Sequence, residues 1–131
     1  MSSTTIARPQ VEIDDAVKAL IETQIEQCTI VHCRFFTGEP TGVRIWPSTF
    51  LEEDGGSRCK LIKIFNISLM PEWTFHFIEN DFIRFTLVFE ALSKNCEKFH
   101  VIEDIAQPFG FFSKDILKNS SGVYTAELFC D

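Results

Sequence analysis

Alternation of apolar and polar positions is clearest from Phe82 to Glu90, where Ile83, Phe85, Leu87 and Phe89 fall at every second residue. Arg84, Thr86, Val88 and Glu90 lie between them. A period of two gathers one set of side chains on a single face of an extended strand, whereas a helix would scatter them around its circumference. Phe, Ile, Thr and Val also favour the extended chain. The run therefore predicts a strand with one buried wall, in which each large residue contributes ~2 kcal/mol of apolar transfer. Ser93, Lys94 and Asn95 follow as a polar turn, and Lys98 to Glu103 resumes an extended, apolar-rich pattern. Strand, short connection and strand predict an antiparallel pair at the centre of the core.

Upstream, Cys28 to Phe36 is β-branched, apolar and aromatic and stops at Thr37-Gly38-Glu39-Pro40, which predicts a strand and then a loop. Val43 to Trp46 predicts a short strand ended by Pro47. Thr49 to Glu52 and Cys59 to Phe65 flank Glu53-Asp54-Gly55-Gly56-Ser57, whose paired glycines supply the positive φ of a hairpin turn. Acidic residues before that turn and Arg58, Lys60 and Lys63 after it are placed to pair across the strands, at ~0 to 1 kcal/mol each. Glu72 to Phe77 is a further extended piece with Trp73, Phe75 and Phe77 on one side.

Downstream, Ala106-Gln107-Pro108 breaks the sheet, Ser113 to Lys118 suggests one helical turn capped by Ser113, and Asn119 to Gly122 is a turn. Val123 to Phe129 alternates as the closing strand. Near the start, Ile13, Ala16, Val17, Leu20 and Ile21 fit one helix face, while Leu20 to Ile25 also reads as an extended lead-in, so both readings stand there. Residues 1–10 are expected as a flexible tail and 11–131 as a single domain. Short strands spaced about ten residues apart are the pattern of an antiparallel sandwich or barrel. At this length the expectation is an immunoglobulin-like β-sandwich of about seven to nine strands with at most one or two short helices.

Composition narrows the function. Twelve basic and nineteen acidic residues give 12 − 19 = −7, and no Lys/Arg cluster stands out along the chain, which argues against nucleic acid and anionic membranes as partners. Fourteen Phe against one Tyr and two Trp imply that most rings are internal, because Phe has no polar group to present to water. No apolar run reaches the ~20 residues of a membrane span, and the start of the chain lacks a secretory leader, so a cytoplasmic protein is expected. Five cysteines without a CxxC pair read as reduced thiols.

Arg44-Ile45-Trp46-Pro47-Ser48-Thr49-Phe50-Leu51, Cys59-Lys60-Leu61-Ile62, Ile67-Ser68-Leu69-Met70-Pro71 and Phe85 to Leu92 leading to Phe99-His100-Val101-Ile102-Glu103 carry a resemblance. Over residues 18 to 112 the chain resembles an uncharacterised β-sandwich domain family of unknown function common in Bacteroidetes proteins. The resemblance implies a fold and no site residue; members are often exported, from which this chain departs.

Candidate chemistry is sparse. His32 and Cys33 are adjacent and point to opposite faces of a strand, and Cys96 with His100 offers two ligands at best, so neither a metal nor another cofactor is expected. Cys96, beside Lys94 and Lys98, is expected to be an exposed turn thiol and the nearest approach to a nucleophile. Glu52-Glu53 and Glu103-Asp104 read as solvated edges, and no phosphate loop or hydrolase motif occurs, so the chain is expected not to be an enzyme. Trp73, Phe75 and Phe77 are expected in the core, with an exposed aromatic stripe for a peptide or glycan partner as the rival. Arg44 and Trp46 are expected together on an outer face, the composition of an interaction hot spot, with Trp46 tucked under Pro47 as the rival. The expected function is a non-catalytic interaction or accessory module, monomeric or weakly dimeric, binding a protein or peptide through Arg44, Trp46 and Trp73. The alternative is a carrier of small hydrophobic ligands with a Phe-lined cavity.

Overall fold

The computed structural model describes residues 28–106 and 110–130. The expected tail, the helix-or-strand segment before Cys28 and the break at Gln107-Pro108 lie outside them. Nine strands follow one another: β1 Cys28–Thr37, β2 Thr41–Val43, β3 Phe50–Glu53, β4 Arg58–Phe65, β5 Thr74–His76, β6 Asp81–Glu90, β7 Lys98–Ile102, β8 Phe111–Leu117 and β9 Val123–Cys130. None of the described residues is helical.

The all-β expectation and the strand count hold, and the layering differs. Seven strands form a closed barrel in the order β1-β6-β4-β3-β7-β8-β9, with β9 returning to β1, while β2 and β5 make a separate two-stranded ribbon. Around a ring of seven, strand direction cannot alternate throughout, so at least one neighbouring pair has to be parallel. That pair is β1 with β9, in register from Ile30 opposite Val123 to Phe35 opposite Leu128. Closure leaves the seven strands without a free sheet edge, which two open sandwich layers would have exposed.

β6 behaves as its alternation requires. Ile83, Phe85, Leu87 and Phe89 are buried, and they meet Val31 and Cys33 of β1, Leu51 of β3, Phe99 and Val101 of β7, and Tyr124, Ala126 and Leu128 of β9 in one core. The expected pairing of β6 with β7 does not occur. The β3–β4 hairpin is inserted between them: β6 pairs with β4 and β7 with β3, so the connection through Ser93 spans the end of the barrel. Glu53 holds that connection, its Oε2 accepting from the Ser93 amide and hydroxyl at 3.0 Å each.

Three local expectations are corrected. Ser113 to Lys118 lies almost wholly in strand β8, because Lys98, Phe99 and Val101 of β7 supply the ladder that a helical turn would forfeit. Asp115 takes a positive φ of 58° there, beside the irregular register between Phe99 and Val101. The short strand expected at Val43 to Trp46 sits earlier, at Thr41–Val43, and Ile45 makes an isolated parallel bridge with Leu69. In the hairpin, Glu52 stands opposite Arg58 as expected, but the Arg58 guanidinium lies over the Phe50 ring at 4.2 Å.

Candidate functional site: an aromatic cleft beneath the ribbon

β2 follows β1 after a three-residue connection, and its ribbon with β5 therefore lies by the barrel end where β1 and β9 finish and β8 begins. Val43 points inward and joins the core, which pins the ribbon and leaves Arg44 and Trp46 half-buried on the opposite side. Ile45 is fully buried, so the alternation expected for Val43 to Trp46 is observed. A cleft of about 530 Å³ opens between the ribbon and the barrel, walled by Phe35, Phe111, Ile105, Trp46, Trp73 and Arg44.

Arg44, Trp46 and Trp73 converge there. The Arg44 guanidinium lies 3.9 Å from the centre of the Trp73 ring and 5.6 Å from that of Trp46, and its Nη1 donates to the Pro71 carbonyl at 3.1 Å. A guanidinium beside two indoles keeps its charge while shedding part of its hydration, an arrangement worth ~0.5 to 2 kcal/mol per ring according to exposure. Gly42 makes room for it. A Cβ at that position would stand 3.1 Å from the Phe75 ring and 3.3 Å from the Trp73 ring, tighter than ordinary packing. Gly42→Val is therefore expected to push both rings off the ribbon and alter the near-ultraviolet circular dichroism of the tryptophans, leaving the far-ultraviolet spectrum of the barrel unchanged.

The aromatic row of β5 corrects the core assignment. Trp73, Phe75 and Phe77 are 49%, 62% and 77% exposed, and Ile78 continues the patch at 60%. β5 pairs only with β2, outside the barrel, and no described element covers its outer side. Phe75 and Phe77 stack on each other with centroids 6.2 Å apart. The phenylalanines that do fill the core, Phe85, Phe89, Phe99 and Phe111, come from barrel strands.

Glu103 forms the polar part of the cleft wall, and the solvated edge expected of Glu103-Asp104 is not what is found. It is 6% exposed and accepts from the Trp46 amide at 2.9 Å, the Phe111 amide at 3.3 Å and the Thr49 hydroxyl at 3.4 Å. Burial pushes its carboxyl above the ordinary range; those donors and the charge of Arg44 pull the other way and do not cancel it. Gly110 lets the chain close on this point, since a Cβ there would collide with the Glu103 carbonyl oxygen. Glu53 is the buried member of the other acidic pair, again against the expected solvated edge. Both were indicated by parity: Glu103 continues the inward alternation of Phe99 and Val101, and Glu53 that of Leu51.

Cys96 is not the exposed thiol that the polar turn suggested. It is buried and donates to the Lys98 carbonyl, and burial raises its pKa with help from the charges of Glu53 and Asp54. Cys33 and Cys59 are pushed up to about 12, chiefly by burial, so all three favour the protonated form. His32 is exposed while Cys33 is buried, as their adjacency on a strand requires. Among the described residues no three His, Cys, Asp or Glu side chains gather as a metal site, and no helix is long and apolar enough to cross a membrane.

Fold and cleft together define a closed seven-stranded barrel carrying a lateral aromatic ribbon. No family model, curated protein or solved structure matches the chain.

Proposed function

We propose that this protein is a non-catalytic binding module that takes an extended peptide of mixed apolar and acidic character in the cleft beneath the ribbon. The observation that carries the reading is the Arg44 guanidinium set against Trp73 and Trp46 at the mouth of an apolar cleft, with Phe75, Phe77 and Ile78 exposed alongside. Trp and Arg are the residues most enriched at interface hot spots, and exposed aromatics of this kind desolvate at little rotamer cost. In a chain of net charge −7, a cation framed by rings selects an acidic group on the partner, while the apolar walls seat its neighbouring side chain. Trp46 and Trp73 are the only tryptophans, so binding has an intrinsic reporter.

Titration with a degenerate library of short peptides holding one Glu beside one apolar residue is expected to quench or shift the tryptophan emission saturably. Arg44→Ala is expected to weaken that binding by about tenfold or more, the loss of one charge-assisted contact, while the thermal midpoint of the barrel stays within a few degrees. Equal binding by the wild type and Arg44→Ala would sink the reading.

One observation favours a second reading, the small-ligand carrier: 530 Å³ falls in the range of small-molecule sites. Of the phenylalanines, Phe35 and Phe111 reach the wall, so such a ligand would sit beneath the ribbon and not in the barrel interior. Saturable tryptophan quenching by a medium-chain fatty acid, with no response to the peptides, is the result that would prefer it.

A further inference from the structure

The outer wall of the barrel, away from the cleft, carries a feature that neither reading uses. β1 and β6 pair so that Arg34 stands directly opposite Arg84, both exposed. Like charges directly across a strand pair are destabilising. Both guanidinium groups lie over the same Phe82 ring, Arg34 at 4.7 Å and Arg84 at 5.6 Å from its centre. Arg34 is neutralised by Glu127 of β9 at 3.0 Å; among the described residues Arg84 has no carboxylate partner. Two residues along, on the same face, His32 Nδ1 and Thr86 Oγ1 are 2.8 Å apart, and Thr125 is the β9 residue in register with His32. Asn66, at a positive φ of 63°, is a further lining residue. Arg34, Arg84, His32, Thr86, Thr125 and Asn66, with Cys33 and Phe85, line a depression of about 330 Å³, and Phe82 and Glu127 stand outside it.

We infer that this depression is a binding site for a single oxyanion of phosphate-monoester type, carried on a small molecule. Arg34 and Arg84 line the end of the depression nearest Phe82, and a turn of their outer torsions away from that ring brings forked donors that match tetrahedral oxyanions toward the hydroxyls, amide and imidazole along the rest of it. One carboxylate against two arginines leaves a local excess of positive charge on a chain that is otherwise acidic, and an anion between the two guanidinium groups would convert their repulsion into two attractions. The acidity of the whole chain restricts the ligand. A polyanion such as nucleic acid needs an extended basic stripe, whereas a lone phosphoryl group needs only this pocket.

The test is a titration with inorganic phosphate at constant ionic strength, set with sodium chloride, observing the side-chain Nε–H signals of Arg34 and Arg84 and the amides of Thr86 and Thr125 by nuclear magnetic resonance. Saturable shifts confined to those groups are expected. Half-saturation should rise about tenfold or more in Arg84→Gln and fall in Glu127→Gln, where Arg34 is released from its competitor. Arg84 is exposed, so its substitution leaves the core intact. Shifts that grow without saturation, that chloride alone reproduces, or that persist unchanged in Arg84→Gln would overturn the assignment. The signals of Trp46 and Trp73 should not respond, which keeps this site separate from the cleft.

Discussion

Phe89→Ala is expected to lower the unfolding free energy by ~3 to 5 kcal/mol, the cost of removing a fully buried aromatic side chain and leaving a void. Phe89 is completely inaccessible, lies in β6 between Leu61 of β4 and Thr29 of β1, and belongs to the central core. A domain of this size has on the order of 5 to 15 kcal/mol in all, so the variant should lose 15 °C or more, roughly, from its melting temperature. Phe77→Ala supplies the contrast. At 77% exposure that ring has little burial to lose, and the change should stay within ~0.5 kcal/mol. Chemical denaturation of the two variants measures the difference; similar losses would mean that the barrel interior is not where the folding energy resides.

Glu103→Ala is the second large effect. It removes the acceptor of the Trp46 and Phe111 amides, and a buried donor left without a partner costs ~1 to 3 kcal/mol. Trp46 would lose its anchor as well, so the cleft should loosen together with the barrel end. The pH dependence follows from the direction of the Glu103 shift. Burial raises the folded-state pKa above the ordinary value of 4.5, so the folded protein holds the proton more tightly than the unfolded chain. The associated stability is complete below pH 4.5 and is lost as pH rises through the folded value. Wild-type stability, referred to that of Glu103→Ala, should therefore decline with rising pH across that window and level off above it. A difference that rises with pH instead would mean that the hydrogen bonds to the carboxylate outweigh its burial.

What the chain discloses by itself varies with the kind of residue. β6 and β9 follow from period-two alternation, β1 from its β-branched and aromatic run, and the β3–β4 hairpin from the glycine pair, where Gly56 takes the implied left-handed turn at a φ of 94°. Inward parity even marked Glu53 and Glu103, although the usual solvation of carboxylates pointed outward. Closure is harder to see: whether β6 pairs with β7 or with β4 depends on where a hairpin thirty residues earlier inserts, and no local pattern records that. The β5 aromatics show the same limit from the other side. Their spacing is that of a core strand, and only the separation of the ribbon from the barrel exposes them. Arg44, Trp46 and Trp73 were each identifiable as candidates, but their meeting around one guanidinium depends on Gly42 and the fold of the ribbon. Arg34 and Arg84 are fifty positions apart and form no cluster in the sequence; the β1–β6 register alone sets them face to face.

The parallel seam between β1 and β9 has a consequence for how the protein is made. Every stave of the ring needs a neighbour on each side, and the last one to be synthesised, β9, is the one that sits beside the earliest. During translation β1 waits with one flank uncovered until nearly a hundred further residues have emerged, a long-range closure of the kind that slows β-rich folding. Nascent chains halted before Val123 should therefore remain protease-sensitive, and resistance should arrive in a single step once Cys130 has cleared the ribosome.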